Sequence, residues 1–221
     1  MRLLVTAGPT REFLDPVRFL SNRSSGKMGY ALARAGVRRG HTVTLISGPV
    51  ALTPPEDVRY IPVVSAADMK KAVDAEWSKT DILFMAAAVA DWRPRRIVVR
   101  KLKKRRALPC LDLERTVDIL GSLVGRKGHR LVIGFAAETD RVLAEAGRKL
   151  REKDLDLIVA NDVSRKDAGF EVDTNRVTLL APGERPQSWP ILSKDEVAER
   201  LIAWVERRVA TGESSDRSEL P

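Results

Sequence analysis

The 221-residue chain sets 39 Lys and Arg against 30 Asp and Glu, a formal charge of +9, with 43% hydrophobic residues. One sizeable core under a charged surface follows, and anionic partners are favoured: nucleic acid, an acidic membrane surface or phosphorylated small molecules. One cysteine and two histidines exclude a disulfide framework and the usual Cys/His zinc site. No apolar run approaches the roughly 18–20 residues of a membrane span, and Met1 to Gly8 reaches its glycine too soon for a signal peptide. A soluble, cytoplasmic setting without a membrane partner is expected.

In chain order, residues 3–7 form a short apolar run closed by Gly8-Pro9 and read as a buried strand. A helix is predicted over 27–39, because Met28, Ala31, Leu32 and Ala35 fall at helical spacing. Ser24 or Ser25 is its expected N-cap and Gly40 its C-terminal stop. Strands follow at 42–47 and 58–63, a helix at 66–78, and a fourth strand at 81–88. Residues 91–116 lose all periodicity and hold Pro94, Pro109 and a dense basic run, which reads as a long flap. A short helix is predicted at 117–126, then a strand at 130–135, a helix at 140–152 and a strand at 155–160. A hairpin over 170–181 is expected to turn near Asp173-Thr174-Asn175. A last helix spans 194–208, with Val197, Leu201, Trp204 and Val205 on one face, and the polar tail is expected to be disordered.

Strands separated by helices of this length imply right-handed βαβ units and an α/β, mostly parallel sheet. Ligands of such sheets sit beyond the carboxyl ends of the strands, which directs attention to the loops at 8–26, 86–116, 135–139 and 160–169.

The first of these opens with Gly8-Pro9-Thr10 and reaches Ser24-Ser25-Gly26 as it enters a helix. Free amides at a helix start, serine hydroxyls and a glycine make a phosphate cradle, though the same residues serve as ordinary turn chemistry. The spacing is neither a dinucleotide fingerprint nor a P-loop. Ser47 closes the second strand where a dinucleotide fold places Asp or Glu, which argues against a nicotinamide dehydrogenase. The carboxamide of Asn22 offers a neutral donor and acceptor suited to an acyl group, or it simply forms a turn. Ala86, Ala87 and Ala88 lead to Asp91. Small side chains there admit a ligand against the backbone or make room for a helix, and Asp91 could hold Mg²⁺, a sugar or a base.

Arg100 to Arg106 packs six cations into seven residues, which fits a solvated loop, a nucleic-acid patch or a flap over polyphosphate. Phe135 follows another strand, as a stacking ring or as core. Lys149 and Lys153 share a helix face, as two contacts to one anion or as surface lysines. Asn161-Asp162 closes the next strand. His41 and His129 lack the setting of a catalytic base, and Cys110 reads as a small apolar side chain.

Several stretches taken together resemble a known family. They are TAGPTREFLDPVRFLSNRSSGKMGYALA (6–33), TLISGPV (44–50), AAAVADW (86–92), KLKK (101–104), VDIL (117–120), GFAAET (134–139) and LDLIVANDVS (155–164). In order and spread over nearly the whole chain, they resemble bacterial phosphopantothenoylcysteine synthetase, the ligase half of a bifunctional coenzyme A biosynthesis protein. The resemblance implies a Rossmann-like three-layer αβα fold with a basic flap and a β-hairpin insertion, one domain over 1–209 with the flap at about 91–116, and a tail at 210–221. It implies a homodimer with sites near the subunit interface. It implies that CTP activates 4′-phosphopantothenate as an acyl-cytidylate with Mg²⁺, and that the amine of L-cysteine then displaces CMP.

By motif, Asn22 corresponds to the Asn required in the second step, together with Ala87 at the acid substrate. Lys101 corresponds to the flap Lys of the first step. Gly8, Ser24, Ser25, Gly26, Ala87, Ala88, Asp91, Lys101, Val117, Asp118, Ile119, Leu120, Phe135, Lys149 and Lys153 correspond to nucleotide positions, with Asp91 the candidate Mg²⁺ ligand. Val117 departs from the Pro that the family often has before its Asp-Ile pair. The flavin-dependent decarboxylase half is not in this sequence, so no FMN is expected here, and a decarboxylase remains a candidate partner. The competing readings are a nucleotide-binding oxidoreductase and a nucleic-acid module built on the flap; the second leaves Asn22 and 86–91 without a role, and no nucleic-acid partner is expected.

Overall fold

Runs of leucine, valine and isoleucine between amphipathic segments give strands buried on both faces, as a parallel sheet covered by helices requires. A computed structural model describes residues 1–102, 111–138, 140–162 and 172–211. The elements are β1 (Arg2–Ala7), β2 (Arg11–Phe13), β3 (Phe19–Ser21), α1 (Lys27–Arg38), β4 (Thr42–Ser47), β5 (Val58–Pro62), α2 (Ala66–Trp77), β6 (Ile82–Met85), β7 (Trp92–Pro94) and β8 (Leu113–Arg115). There follow β9 (Leu131–Glu138), α3 (Val142–Glu152), β10 (Leu157–Asp162), β11 (Thr174–Asn175), β12 (Val177–Leu180), β13 (Gln187–Ser188), β14 (Leu192–Ser193) and α4 (Lys194–Ala210).

The main sheet runs β13-β12-β10-β9-β6-β1-β4-β5. The six strands from β10 to β5 are parallel, and β12 and β13 add an antiparallel edge. Among the parallel strands the chain order across the sheet is 3-2-1-4-5-6, so winding reverses between β1 and β6. Alternate residues of β1 feed opposite cores. Leu3, Val5 and Ala7 pack with Tyr30 of α1 and with Val197, Leu201 and Val205 of α4. Leu4 packs with Met69 and Val73 of α2 and Leu150 of α3. The result is three layers, helix–sheet–helix. No helix among the described residues is long and apolar enough to cross a membrane.

Some expectations shift. The fourth strand is shorter than 81–88, ending at Met85, and 117–126 holds only a three-residue 3₁₀ turn at Gly121–Leu123. The turn near Asp173-Thr174-Asn175 is not the tip of a hairpin: β11 pairs with β14, and the hairpin is β12 with β13. Ala210, assigned to the tail, closes α4; Cys110 and 212–221 lie outside the described residues. The flap has an ordered root, since β7 and β8 pair antiparallel. His41 Nε2 donates to the Glu206 carboxylate on α4 at 2.9 Å, a structural contact.

Capping also departs from expectation. Ser65 and Ser193 close full capping boxes on α2 and α4 with Asp68 and Glu196. Neither Ser24 nor Ser25 caps α1. Gly26 takes that place in a left-handed conformation (φ 78°), without a side-chain cap and with no acid in the first turn. The Ser24 hydroxyl is instead 3.3 Å from the Gly26 amide, accepting from it one turn edge earlier.

Candidate active site

Where winding reverses, the loops after β1 and β6 leave in different directions and open a crevice. Its floor is main chain held by main chain and threonine. Ala88 N donates to Gly8 O at 2.9 Å, and Thr10 N donates to Ala88 O at 3.2 Å. Ala87 N donates to the Thr6 hydroxyl and Ala90 N to the Thr10 hydroxyl, at 3.2 and 2.9 Å. The alanines therefore sit on a fixed backbone with little side chain above it. Asn22 reaches across from the first loop, its Nδ2 donating to Ala88 O at 3.0 Å. That fixes one end of the carboxamide and leaves Oδ1 to accept.

One wall is the start of α1. Its first intrahelical bond is Tyr30 N to Gly26 O, so the amides of 27–29 have no intrahelical partner. With no cap and no acidic side chain there, the helix end is an electropositive group of donors. Glycines make this possible. Gly8 and Gly26 both have positive φ (70° and 78°), and a Cβ on Gly8 would lie 2.9 Å from Gly48 O.

The opposite wall comes from α3, β9 and the 117–120 segment. Lys149 donates to Glu138 at 2.6 Å, and Lys153 donates to Asp118. Asp118 also accepts from Gly121 N at 2.8 Å. A Cβ at residue 121 would stand 2.5 Å from the Asp118 carboxylate, so glycine is what lets the acid fold back there. Burial opposes ionisation of Asp118, but the Lys153 ammonium and the Gly121 amide outweigh it and hold the carboxyl below its ordinary range. Phe135 is half-buried at the crevice, and Trp92, about half exposed, lies under the Arg115 guanidinium at the flap root.

The cleft so formed has a volume of about 800 Å³. It gathers Asn22, Ser24, Ser25, Gly26, Ala87, Ala88, Asp91, Val117, Asp118, Ile119, Leu120, Phe135, Lys149 and Lys153 from five separate stretches of sequence. It does not gather Gly8, which lies buried behind the cradle, or Lys101, which is exposed on the flap root. Asp91 makes no ion pair among the described residues. No group of three or more His, Cys, Asp or Glu is assembled among them either; the Asp91 carboxylate lines the cleft and suits a divalent ion that takes its other ligands from phosphate and water.

The cleft also contains residues that the sequence did not single out. Lys194 is the first residue of α4, 8% exposed, and its ammonium donates to Val172 O. Burial first, and Lys27 second, push its pKa down to about 8 against the pull of Asp173. Lys27 donates to Asp173 at 2.6 Å. Asn175, from the β11 segment, accepts from Asn161 Nδ2 at 3.3 Å. A lysine after a capping serine carries no mark of burial in the sequence; its depth comes from β11 and β14 pairing beneath it.

Fold and cleft together define a doubly wound α/β protein with an anion-accepting crevice at the reversal of strand order. The family model of the DNA/pantothenate metabolism flavoprotein C-terminal domain matches residues 1–209, and the chain belongs to that family. It is 48% identical over 201 residues to the coenzyme A biosynthesis bifunctional protein CoaBC of Bacillus subtilis (strain 168), covering 90% of this chain and 50% of that protein. The chain thus spans about half the length of the curated relatives it matches. A crystal structure of the C-terminal domain of CoaBC is 43% identical and superposes with a TM-score of 0.81, covering 95% of this chain and 96% of that one. The H337A mutant of Cab2 in complex with phosphopantothenate-cysteine shares the fold at 17% identity, with a TM-score of 0.78 and coverage of 96% and 88%.

Proposed function

We propose that the chain is a phosphopantothenate–cysteine ligase of coenzyme A biosynthesis that uses CTP. The observation that carries this reading is the meeting, in one cleft, of the uncapped start of α1, the alanine floor and the Asn22 carboxamide. Membership of the CoaBC C-terminal family supports it, since those relatives are named for coenzyme A biosynthesis.

The chemistry explains the layout. A carboxylate resists amines because attack must expel oxide; transfer of a cytidylyl group replaces oxide with a phosphate leaving group. The acid of 4′-phosphopantothenate attacks the α-phosphorus of CTP and pyrophosphate leaves. The amine of L-cysteine then attacks the acyl carbon and CMP leaves. A triphosphate, a phosphate and a carboxylate must be held together, and donors aimed at the developing charge do most of the work.

The start of α1, with Ser24, Ser25 and Gly26, takes phosphate. Ala87, Ala88 and 117–120 offer main chain to the base and sugar, and Phe135 offers a ring. Lys149 and Lys153 supply cationic contacts. Lys101 neutralises charge on the transferred phosphates. Asn22 accepts through Oδ1 and donates through Nδ2 at the acyl group, which orients the carbonyl for the amine. Mg²⁺, when bound, neutralises and orients the triphosphate, with Asp91 as its protein ligand. No side-chain nucleophile is required.

A cytoplasmic homodimer is part of the reading. Val17 and Phe19 of the β2–β3 hairpin, Ile97 and Val99 of the flap root, and Leu111 and Leu113 opposite it are all exposed apolar residues, Val99 at 88%. Apolar side chains left exposed on these segments are the kind that a partner subunit covers. A decarboxylase, fused in the CoaBC relatives, is the expected neighbour in the reaction sequence.

The test is pyrophosphate release by purified protein with CTP, Mg²⁺ and 4′-phosphopantothenate, with and without cysteine, and with ATP in a parallel run. Turnover that needs both substrates and prefers CTP is expected. Asn22→Asp, which sets a carboxylate oxygen against Ala88 O, is expected to release pyrophosphate without making product. Lys101→Gln is expected to lose roughly 10²–10³ in activation. Absence of turnover from folded wild-type protein overturns the reading.

A further inference from the structure

The Asp15 carboxylate is fully buried, at 0% exposure, yet lies outside the cleft and belongs to no step above. It sits in the tight loop between β2 and β3. Its Oδ1 accepts from the amides of Val17 and Arg18 at 2.8 and 2.9 Å, a local turn. Its Oδ2 faces away from that turn and accepts from the Arg18 guanidinium at 3.0 and 2.5 Å and from the amide of Leu102 at 3.2 Å. The same guanidinium donates to the carbonyl of Leu102 at 3.0 Å. Both polar groups of one peptide-bearing residue, 87 positions away in sequence, are thus gripped by one acid–base pair. A second tie, Val98 N to Leu14 O at 3.0 Å, anchors the same strand of chain four residues earlier.

We infer that Asp15 is a positioning residue for Lys101: with Arg18 it clasps the main chain at Leu102 and so sets where the adjacent flap lysine starts. This rests on the reading of Lys101 as the lysine of the activation step. The clasp matches what positioning requires. A flap hinged only at Val98 leaves Lys101 free over several rotatable bonds, whereas a grip at the next residue removes most of that freedom before substrate arrives. Charge-assisted bonds to a buried carboxylate are the strong kind. The guanidinium, with the amides of Val17, Leu102 and Arg18, overcomes burial and holds the Asp15 carboxyl far below the usual carboxylate range, so the clasp stays ionised at every pH at which an enzyme works.

Asp15→Asn isolates the grip from the turn. The asparagine Oδ1 still accepts from Val17 and Arg18, but its NH₂ now faces the Leu102 amide and the guanidinium, donor against donor. The experiment compares wild type, Asp15→Asn, Lys101→Gln and the double variant in CTP- and phosphopantothenate-dependent pyrophosphate release. Amide hydrogen exchange of Leu102 is followed alongside, with the Val132 amide as reference for global opening. Asp15→Asn is expected to lower kcat by roughly 10–100-fold with KM for CTP changed less than about threefold, as loss of pre-positioning does.

In the double variant, activity is expected to match Lys101→Gln alone, because Asp15 has nothing left to position. Leu102 is expected to exchange at least about tenfold faster in Asp15→Asn while Val132 does not change. Multiplying losses in the double variant, or unchanged Leu102 exchange, overturn the inference. A wild type that releases no pyrophosphate overturns the functional reading instead, and the exchange comparison still decides whether the clasp exists.

Discussion

Gly29→Ala tests whether α1 is seated by backbone contact. Helix propensity alone favours the change by about 0.8–1 kcal/mol, because glycine is the more flexible residue when unfolded. The structure reverses the sign. A Cβ at residue 29 would lie 2.5 Å from Ala7 Cβ, 2.9 Å from Thr6 O and 3.0 Å from Ala7 Cα. All three belong to β1 or its first side-chain carbon, so no rotamer change relieves them. Restoring carbon–carbon contact of about 3.5 Å requires α1 to lift by about 1 Å, and overpacking of this kind costs about 1–3 kcal/mol.

With the rigid partners placing the cost toward the upper end, the net loss is about 1–2 kcal/mol. For a chain of this length that lowers Tm by about 2–8 °C. The lift also moves the open end of α1 relative to Asn22 and the alanine floor, and a 1 Å misplacement is enough to cost on the order of 10² in activation. Thermal melting and pyrophosphate release measure the two effects. In an Ala7→Gly background the penalty for Gly29→Ala is expected to shrink without vanishing, since Thr6 O remains at 2.9 Å. A Gly29→Ala protein that melts higher than wild type refutes the reasoning.

Two further predictions concern charge. Lys127→Met leaves Asp156, 6% exposed, without the ammonium that donates to it at 2.8 Å; a buried acid stripped of its partner costs about 3–5 kcal/mol. Tm should fall by more than about 6 °C, and Asp156→Asn added to Lys127→Met should recover part of the loss. The second is the pH dependence of Asp118. Its folded carboxyl is held below the ordinary value, so its contribution is present above about pH 4 and is lost as pH falls through the folded value. In Lys153→Met burial is no longer outweighed. The variant should therefore melt below wild type at pH 7, with the gap narrowing below about pH 4 as Asp118 protonates; a gap independent of pH refutes the assignment.

The parallel sheet was readable because its strands are continuous apolar runs between amphipathic helices, a pattern set by burial on both faces. Boundaries and edges were less so. β2 and β3 are three residues each and lie inside a loop with no periodicity of their own. β11 and β14 are two residues each and meet only through tertiary pairing. The capping of α1 illustrates the limit. Ser24 and Ser25 carry the composition of an N-cap, but Gly26 accepts the left-handed turn, and the helix begins there without a side-chain cap. Most candidate site residues converge because they lie at the carboxyl ends of parallel strands. Lys194 escaped notice because its burial is created by strands too short to announce themselves, and Asp15 because its partner at Leu102 is remote in sequence.

A formal charge of +9 invites the picture of a positive basin awaiting polyphosphate. The cleft is arranged otherwise. Lys149 and Lys153 already face Glu138 and Asp118, and Arg148 of the same helix faces Glu145 and Glu152. Anions therefore meet ion pairs on the α3 side and a helix start without a side-chain cap on the α1 side. Exchange of a partly exposed pair for a ligand pair is nearly neutral, about 0–1 kcal/mol, so the lysines contribute little to raw affinity. They contribute discrimination, since a ligand must reach both carboxylate-held ammonium groups while its phosphates sit at the far wall. Under the ligase reading, a nucleoside triphosphate is expected to reach both walls and inorganic phosphate only one. On the proposed reading, affinity thus belongs chiefly to α1 and selection to α3, the division that suits a site proposed to hold a triphosphate and then release pyrophosphate.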